Sequence, residues 1–387
     1  MVDDQKSQNQ HYVPQYYFRF FSANENSICM LLRRNGKVIY PTAIDTQSSK
    51  GNFYGSTETE AEITAFDIKY AKNHHYILKL LKTECVDKLS KEHINTLIEN
   101  ILFQRERTLT YRSNEIPVQA FYKDFFQPQI DDLANYDSGH SQEATDAVRQ
   151  AMEQVFSSFS DPKIMQYVNL MEVPDKIDEV SDLRLIILKN TTDYPFIFSD
   201  SPVSFTNLAL SDYKCSKLGN INLGLMIFFP LSSSLLAFLY DPEAYEIIGG
   251  LASIIIDITN EEDVHQINKL QIHESYNSVY FGSHIHEDYV TALWQEETSR
   301  LGREEKSITR VPEITLNGML TGRIIHAISD PEPNFYPNLS FIALKDLSKS
   351  RIPYRSFFIQ SQLHPGIEVL NLNHLVDRLS AQDDLGE

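Results

Sequence analysis

Cysteine is almost missing from this chain. Its 387 residues hold three, Cys29, Cys85 and Cys215, far apart, odd in number and in no metal-like spacing. That scarcity excludes a disulfide-stapled scaffold and a cysteine zinc site, and it fits a reducing cytoplasm. Long apolar runs are missing as well. No stretch approaches the roughly 18 apolar residues of a spanning helix, and the polar start MVDDQKSQNQ lacks a signal peptide's apolar core, so no membrane association is expected. No GxGxxG, GxxxxGK or HExxH pattern occurs, so no cofactor is expected. Positive charge is scarce too: 34 Lys and Arg against 53 Asp and Glu leave a net −19. A bulk field of that sign repels phosphate and excludes indiscriminate coating of nucleic acid. Two local basic spots remain as candidate nucleic-acid contacts. One holds Arg33, Arg34 and Lys37; the other holds Lys345, Lys349, Arg351 and Arg355.

What is present is a core-forming composition, 42% hydrophobic, and an unusual opening. The run Gln10-His11-Tyr12-Val13-Pro14-Gln15-Tyr16-Tyr17-Phe18-Arg19-Phe20-Phe21 mixes dense aromatic rings with His, Gln and Arg. Burial favours the rings, and each polar group then needs a partner there. Next, SICMLLRR-NG-KVIYPT predicts two strands around an Asn35-Gly36 turn of type I′. Apolar spacing from about Glu58 to Leu81 predicts a helix capped by Ser56 or Thr57, a second starts at Ser90, and a third spans roughly Gln142 to Phe159. The stretch from Asp131 to Ser141 reads as a polar loop. Short β-rich runs follow at 183–188, 196–198, 225–229 and 235–240, a helix at 261–276, a strand at 278–281, and further β-like runs beyond Arg303. Helices first and strands later predict an α+β fold, with a helical N-terminal half and an N-terminal β-hairpin packed on a mainly antiparallel sheet.

Several polar groups could carry chemistry. His284-Ile285-His286 has strand spacing that would put both rings on one face, but no third or fourth ligand is evident, and His74-His75 on a helix diverge into solvent. Glu60 and Asp67, seven apart, share a helix face and could point inward at His11 and Arg19. Asp200, in Ser199-Asp200-Ser201-Pro202, sits at a strand end between hydroxyls, where catalytic acids and Asx turns both occur. Gln104-Arg105-Glu106-Arg107-Thr108 closes a helix on which at most one Arg faces inward, and Asn268 and Gln271 form an i, i+3 amide pair.

In this order, these segments resemble the bacterial domain-of-unknown-function 4238 family. The likeness also rests on Phe53-Tyr54-Gly55, Phe229-Pro230-Leu231-Ser232 and Ile267-Asn268, and it covers about residues 8 to 283. Asp67 stands where the family pattern has Glu, and Leu109 where it has Pro. The resemblance implies an intracellular bacterial protein whose relatives include some encoded among phage-defence genes; it implies no reaction. It suggests one family-like domain over 1–300 (motif and hairpin 8–55, helical 56–175, sheet plus helix 180–290), followed by a β-rich extension, 301–387.

The expected function is a metal-independent hydrolase acting on nucleic acid, most concretely a DNA glycosylase removing a modified base from phage-type DNA. N-glycosidic cleavage needs a carboxylate to orient water and polar groups to assist the leaving base, with the nucleotide extruded into an aromatic pocket. Asp200 would orient water, with His11 as proton donor or base-binding group and Glu60 or Asp67 holding His11 or Arg19. Gln15, Asn268, Tyr54, Gln104 and Ser199 would bind substrate, and Arg107 would take a phosphate. A Mg²⁺ nuclease using Glu60, Asp67 and Asp200 is the alternative enzyme. A non-catalytic sensor, in which the polar set holds the aromatic N-terminus on the sheet, is the alternative outside enzymology.

Overall fold

The runs MIFFPLS and LLAFLY are too apolar to leave a face in water, and the fold covers both of their faces. The structure, a computed structural model, describes residues 9–83, 85–135, 142–159, 161–213, 216–302, 305–314, 319–333, 335–347 and 353–356. The N-terminal part runs β1 (Asn9–His11), α1 (Gln15–Arg19), β2 (Ser27–Leu32), β3 (Val38–Ala43) and β4 (Ser49–Gly51). Helices follow: α2 (Thr57–Lys82), α3 (Lys91–Glu106), α4 (Leu109–Asn135), α5 (Gln142–Phe159) and α6 (Pro162–Met171). Next come β5 (Arg184–Asn190), β6 (Phe198–Ser199), β7 (Ser204–Thr206), β8 (Met226–Ser232), β9 (Leu235–Tyr240), β10 (Tyr245–Ile247) and β11 (Ile255–Ile258). Then α7 (Glu261–Glu274), β12 (Ser278–Phe281), α8 (Glu287–Glu297), β13 (Ser307–Ile314), β14 (Leu320–Ser329) and β15 (Ile342–Leu344) complete the described elements.

The main sheet has the order β11-β5-β9-β8-β7, antiparallel except for the parallel β11–β5 pair. Strand alternation splits its side chains between two cores. Ile227, Phe229, Leu231, Ala237 and Leu239 pack with Tyr17 and Phe18 of α1, Ile77 of α2 and Phe103 of α3. Phe228, Leu236, Phe238 and Tyr240 pack with Val264, Ile267 and Leu270 of α7 and with Leu339 and Phe341. Full burial of each such side chain contributes about 1.5–3 kcal/mol. A second, antiparallel sheet, β3-β2-β12-β6, packs Cys29, Leu31, Val279 and Phe281 against Ile272 of α7 and Val290 and Leu293 of α8. The fold is α+β, with the N-terminal hairpin, helical region and mainly antiparallel sheets that the patterning predicts.

Local chemistry explains the agreements. Ser56 caps α2 by accepting from the Thr59 N–H at 3.2 Å, and Ser90 caps α3 in a reciprocal capping box with His93. It also explains the differences. The β2–β3 connection is not type I′, which needs two positive φ values. Gly36 alone is left-handed there (φ 67°), and the turn runs from Arg33 to Lys37. The Trp294 ring lies on Gly36, where an added Cβ would sit 2.4 Å from it, so a tertiary contact overrides the turn preference. The expected loop at 131–141 is helical up to Asn135, because α4 continues through Pro117 and Pro128. His284-Ile285-His286 is a 3₁₀ turn, so its rings do not share a strand face, and His284 pairs with Glu287 at 2.9 Å. His74 is buried, not solvated: its Nε2 meets the Leu231 carbonyl at 2.9 Å, its ring stacks on Phe20, and burial lowers its pKa to about 4.

Candidate functional site

Two polar networks absorb most of the residues singled out above. The first ties the N-terminal motif to α2 and α3. Arg107, 1% exposed, follows α3 and is surrounded by acceptors. Its Nη1 and Nη2 fork onto Asp67 at 2.5 and 3.2 Å, Nη2 also donates to the His11 carbonyl at 2.7 Å, and Nε donates to Tyr54 Oη at 3.0 Å. Tyr54 Oη donates to the same His11 carbonyl at 3.1 Å, and burial, opposed by Arg107, raises its pKa to about 12. Gln104 Nε2 donates to the Tyr12 carbonyl at 2.9 Å, and Gln10 Oε1 accepts from the Tyr54 N–H at 2.6 Å.

His11, Tyr54, Glu60, Asp67, Gln104 and Arg107 therefore do meet, though in a closed arrangement. The His11 ring faces the Asp45 carbonyl at 3.0 Å, and its pKa is lowered by burial. Glu60 Oε2 is buried without a hydrogen-bond partner among the described residues; burial raises its pKa, with the Arg107 charge opposing. Arg107, expected on a phosphate, is instead engaged by Asp67, which was expected to hold His11 or Arg19. Arg19 is exposed and donates to Gln15 Oε1 at 2.9 Å, so Gln15 and Arg19 answer each other at the surface.

The second network pins the segment 195–204 to α7. Asp200 is 1% exposed; its Oδ1 accepts from the Tyr276 N–H at 2.6 Å and its Oδ2 from the Asn277 N–H at 2.8 Å. Neither reading of this turn describes that geometry. The carboxylate does not face open space, and the amides it holds come from the distant connection between α7 and β12, not from the downstream backbone of an Asx turn, so it acts as a backbone clamp. Asn268 Oδ1 accepts from the Ile197 N–H at 3.0 Å while its Nδ2 donates at 2.8 Å to the Pro195 carbonyl and to Tyr289 Oη. Gln271, one turn on, accepts from the Ser199 N–H and donates to the Pro202 carbonyl and Ser204 Oγ. Ser199 Oγ, buried, donates to the Ser201 carbonyl at 2.8 Å. These donors and acceptors, expected to face substrate, face the chain itself.

The basic spots divide similarly. Arg34 and Lys37 are exposed at the hairpin turn, whereas Arg33 donates to the Gly302 carbonyl at 2.9 Å. Arg355, expected on nucleic acid, is completely buried and donates to Asp182 Oδ2 at 2.7 Å and to the carbonyls of Asn222 and Glu179. Its guanidinium cross-links the C-terminal part of the chain to the body. Lys349 and Arg351 lie outside the described residues.

Between these networks opens a cleft of about 310 Å³. Its walls are the end of α3 (Arg105, Glu106), the start of α4 (Thr110, Tyr111), Ser201, the end of α7 (His273, Glu274) and residues beyond β12, including Lys306 and Phe335. Glu274 stands out. Its carboxyl makes no hydrogen bond or ion pair among the described residues, and burial, opposed only by Arg105, raises its pKa to about 7. The Arg105 guanidinium lies 3.7 Å from the Phe205 ring centroid, donates to the Leu218 carbonyl at 3.2 Å, and has no ion-pair partner among the described residues. Glu106 instead is paired with Lys176 at 3.1 Å. Ser201 and Thr110 hydroxyls share a 2.6 Å hydrogen bond.

The His273 ring stacks on Phe335 (5.3 Å, 9°), and its Nε2 meets Glu297 Oε2 at 2.9 Å. Burial lowers its pKa, so the neutral ring places its proton on Nε2 and leaves Nδ1 a buried acceptor without a partner among the described residues. Asn114 Oδ1 and Asn220 Oδ1, from two other residues of the lining, are likewise buried without partners among the described residues. The cleft therefore offers an ionisable carboxyl, a stacked guanidinium and unanswered acceptors, a set able to bind a polar ring and move a proton. Among the described residues no group of three or more His, Cys, Asp or Glu is placed to hold a metal ion.

Helical geometry explains the division of labour. Gln104 and Arg107, at i and i+3, share the face turned to the N-terminal motif, while Arg105 and Glu106 turn to the cleft. Glu274 and His273 were missed in the sequence. The available signal was the polar stripe Asn268, Gln271, Glu274 at three-residue spacing along a helix that is otherwise largely buried.

Comparison with known families matches residues 9–284 to the family described as "Protein of unknown function (DUF4238)". The chain belongs to that family. Neither a curated protein nor a solved structure matches it. The match ends just after β12, so the wall formed by Lys306 and Phe335 comes from outside the matched residues.

Proposed function

We propose that the cleft is the active site of a metal-independent hydrolase acting on nucleic acid, a glycosylase that cleaves the N-glycosidic bond of a modified base. The observation that carries this reading is Glu274, an unpaired carboxyl with a pKa of about 7 facing Arg105 across a cavity. In the reaction the C1′–N bond breaks, water supplies oxygen to C1′, and a proton reaches the departing base. A carboxyl near pH 7 can give that proton or take one from the attacking water. Arg105, held flat on Phe205, would steady a phosphate or the electron-rich leaving base. A cavity of about 310 Å³ suits one nucleoside-sized unit, so a duplex would present an extruded nucleotide. Modified phage DNA is the substrate class that this reading carries over from the family resemblance.

The test is release of free base from modified DNA by wild type, Glu274→Gln and Asp200→Asn, with and without EDTA. The reading expects release that survives EDTA and is lost in Glu274→Gln; full release by Glu274→Gln removes it. The nuclease alternative needs Glu60, Asp67 and Asp200 on one ion, yet Asp67 is engaged by Arg107 and Asp200 by two backbone amides. A binding role without turnover is favoured by one observation, the buried unanswered acceptors of His273, Asn114 and Asn220. It expects ligand-induced stabilisation with no product formed.

A further inference from the structure

The net charge of −19 hides one basic stretch: from Lys69 to Lys91 the chain carries six lysines against Glu84 and Asp87. On α2 the residues Lys72, His75, Tyr76, Lys79 and Lys82 recur at helical spacing and form one exposed stripe. The stripe borders a concavity of about 860 Å³ between α2 and the first turns of α3. Lys69 there is held by Glu99 at 2.7 Å, whereas Lys72, Lys79 and Lys82 have no ion pair among the described residues. Tyr76, exposed, stacks on the half-buried His93 with centroids 4.5 Å apart, presenting an aromatic face beside the lysines. Cations flanking an aromatic platform are the features that hold a phosphodiester strand without reading its sequence.

We propose that this groove binds the nucleic-acid backbone of the substrate whose base enters the cleft. The inference rests on the hydrolase reading for the identity of the strand, and α3 supplies the geometry. Its first turns (His93) line the groove and its last turn (Arg105) lines the cleft. Those residues are twelve apart, about 18 Å along the helix axis. At about 3.4 Å per nucleotide step, 18 Å is roughly five steps. Because the two residues also point about 120° apart around the helix, roughly five nucleotide steps is the shortest separation between the cleft and the groove.

The experiment measures binding of fluorescein-labelled duplexes by anisotropy over 50–200 mM salt, varying the length on each side of one modified base. Duplexes extending well past five nucleotides should bind wild type about tenfold more tightly than those ending short of it. In Lys72→Glu/Lys79→Glu that length advantage should vanish, and the slope of log affinity against log salt should fall by roughly 1–2. A double variant that keeps the advantage overturns the groove, and so does binding to anionic phosphatidylserine vesicles with none to duplex. Base release by wild type with no effect of the double variant leaves the hydrolase and removes the groove. Groove-dependent binding with no base release does the reverse.

Discussion

The Arg107 network and the Glu274 cleft hold the same kinds of group, an arginine and carboxylates beside aromatic rings, yet they are opposite devices. Around Arg107 the guanidinium finds a carboxylate, a carbonyl and a phenol, all within 3.2 Å. Around Glu274, among the described residues, the carboxyl finds none and the nearby guanidinium has no counter-ion. Burying charge is costly unless it is paired, so the closed network is how an N-terminus rich in polar groups is held in a core. The open one keeps that cost in place, which a protein tolerates where chemistry or binding uses it. Distinctive residues in a sequence thus need not be reactive ones; here many of them are struts beside the site.

The sharpest way to break this contrast is Glu274→Gln. It should lower base release by about 10²–10⁴-fold while leaving the unfolding free energy at pH 4, where the carboxyl is protonated in both states, close to that of wild type. Arg107→Met should do the opposite. Removing one partner of a buried pair costs about 3–5 kcal/mol, read by urea denaturation, because Asp67 and the His11 carbonyl lose their donors. If Arg107→Met keeps full stability, the network is not a strut.

Asp200→Ala should cost about 2–4 kcal/mol, since two amides lose a charged acceptor, and Asn268→Ala about 2 kcal/mol for three lost hydrogen bonds. Thermal melts rank these two against the cleft variants. The pH dependence sharpens the comparison further. Folding raises the Glu274 pKa from 4.5 to about 7, so the folded protein binds the extra proton. Its stabilising effect is complete below about pH 4.5 and is lost as pH rises through 7, a change of up to about 3 kcal/mol. Wild type should therefore lose stability relative to Glu274→Gln between pH 5 and 8; parallel profiles would show an ordinary carboxylate. The smallest effect is expected for Phe335→Ala, which removes the ring stacked on His273: a few-fold weaker ligand binding, by calorimetry, with little change in melting temperature.

Much of the architecture was readable before any coordinates. Ser56 and Ser90 announce the starts of α2 and α3, and the short apolar, β-rich runs within 226–240 announce strands, because caps and local composition depend on near neighbours. An inward turn of Glu60 and Asp67 towards His11 and Arg19 was one of two readings of that helix face, the other being a solvated one. Neither reading named the partner: Arg107 lies 40 residues from Asp67 and 96 from His11. Asp200 looked equally like an acid and an Asx turn, and the amides of Tyr276 and Asn277, brought in by the turn after α7, make it a clamp instead.

By itself the sequence determined the helix and strand periods, the family, and that polar groups would be drawn into a core with the aromatic N-terminus. Those follow from local stereochemistry and from side chains a few positions apart. Which polar groups were closed off and which were left facing a cavity was decided by tertiary structure alone. Partner choice for Arg107, Asp200, Arg355 and Glu274 depends on segments tens to hundreds of residues away, and burial acts on a carboxyl's pKa only once those segments have packed around it.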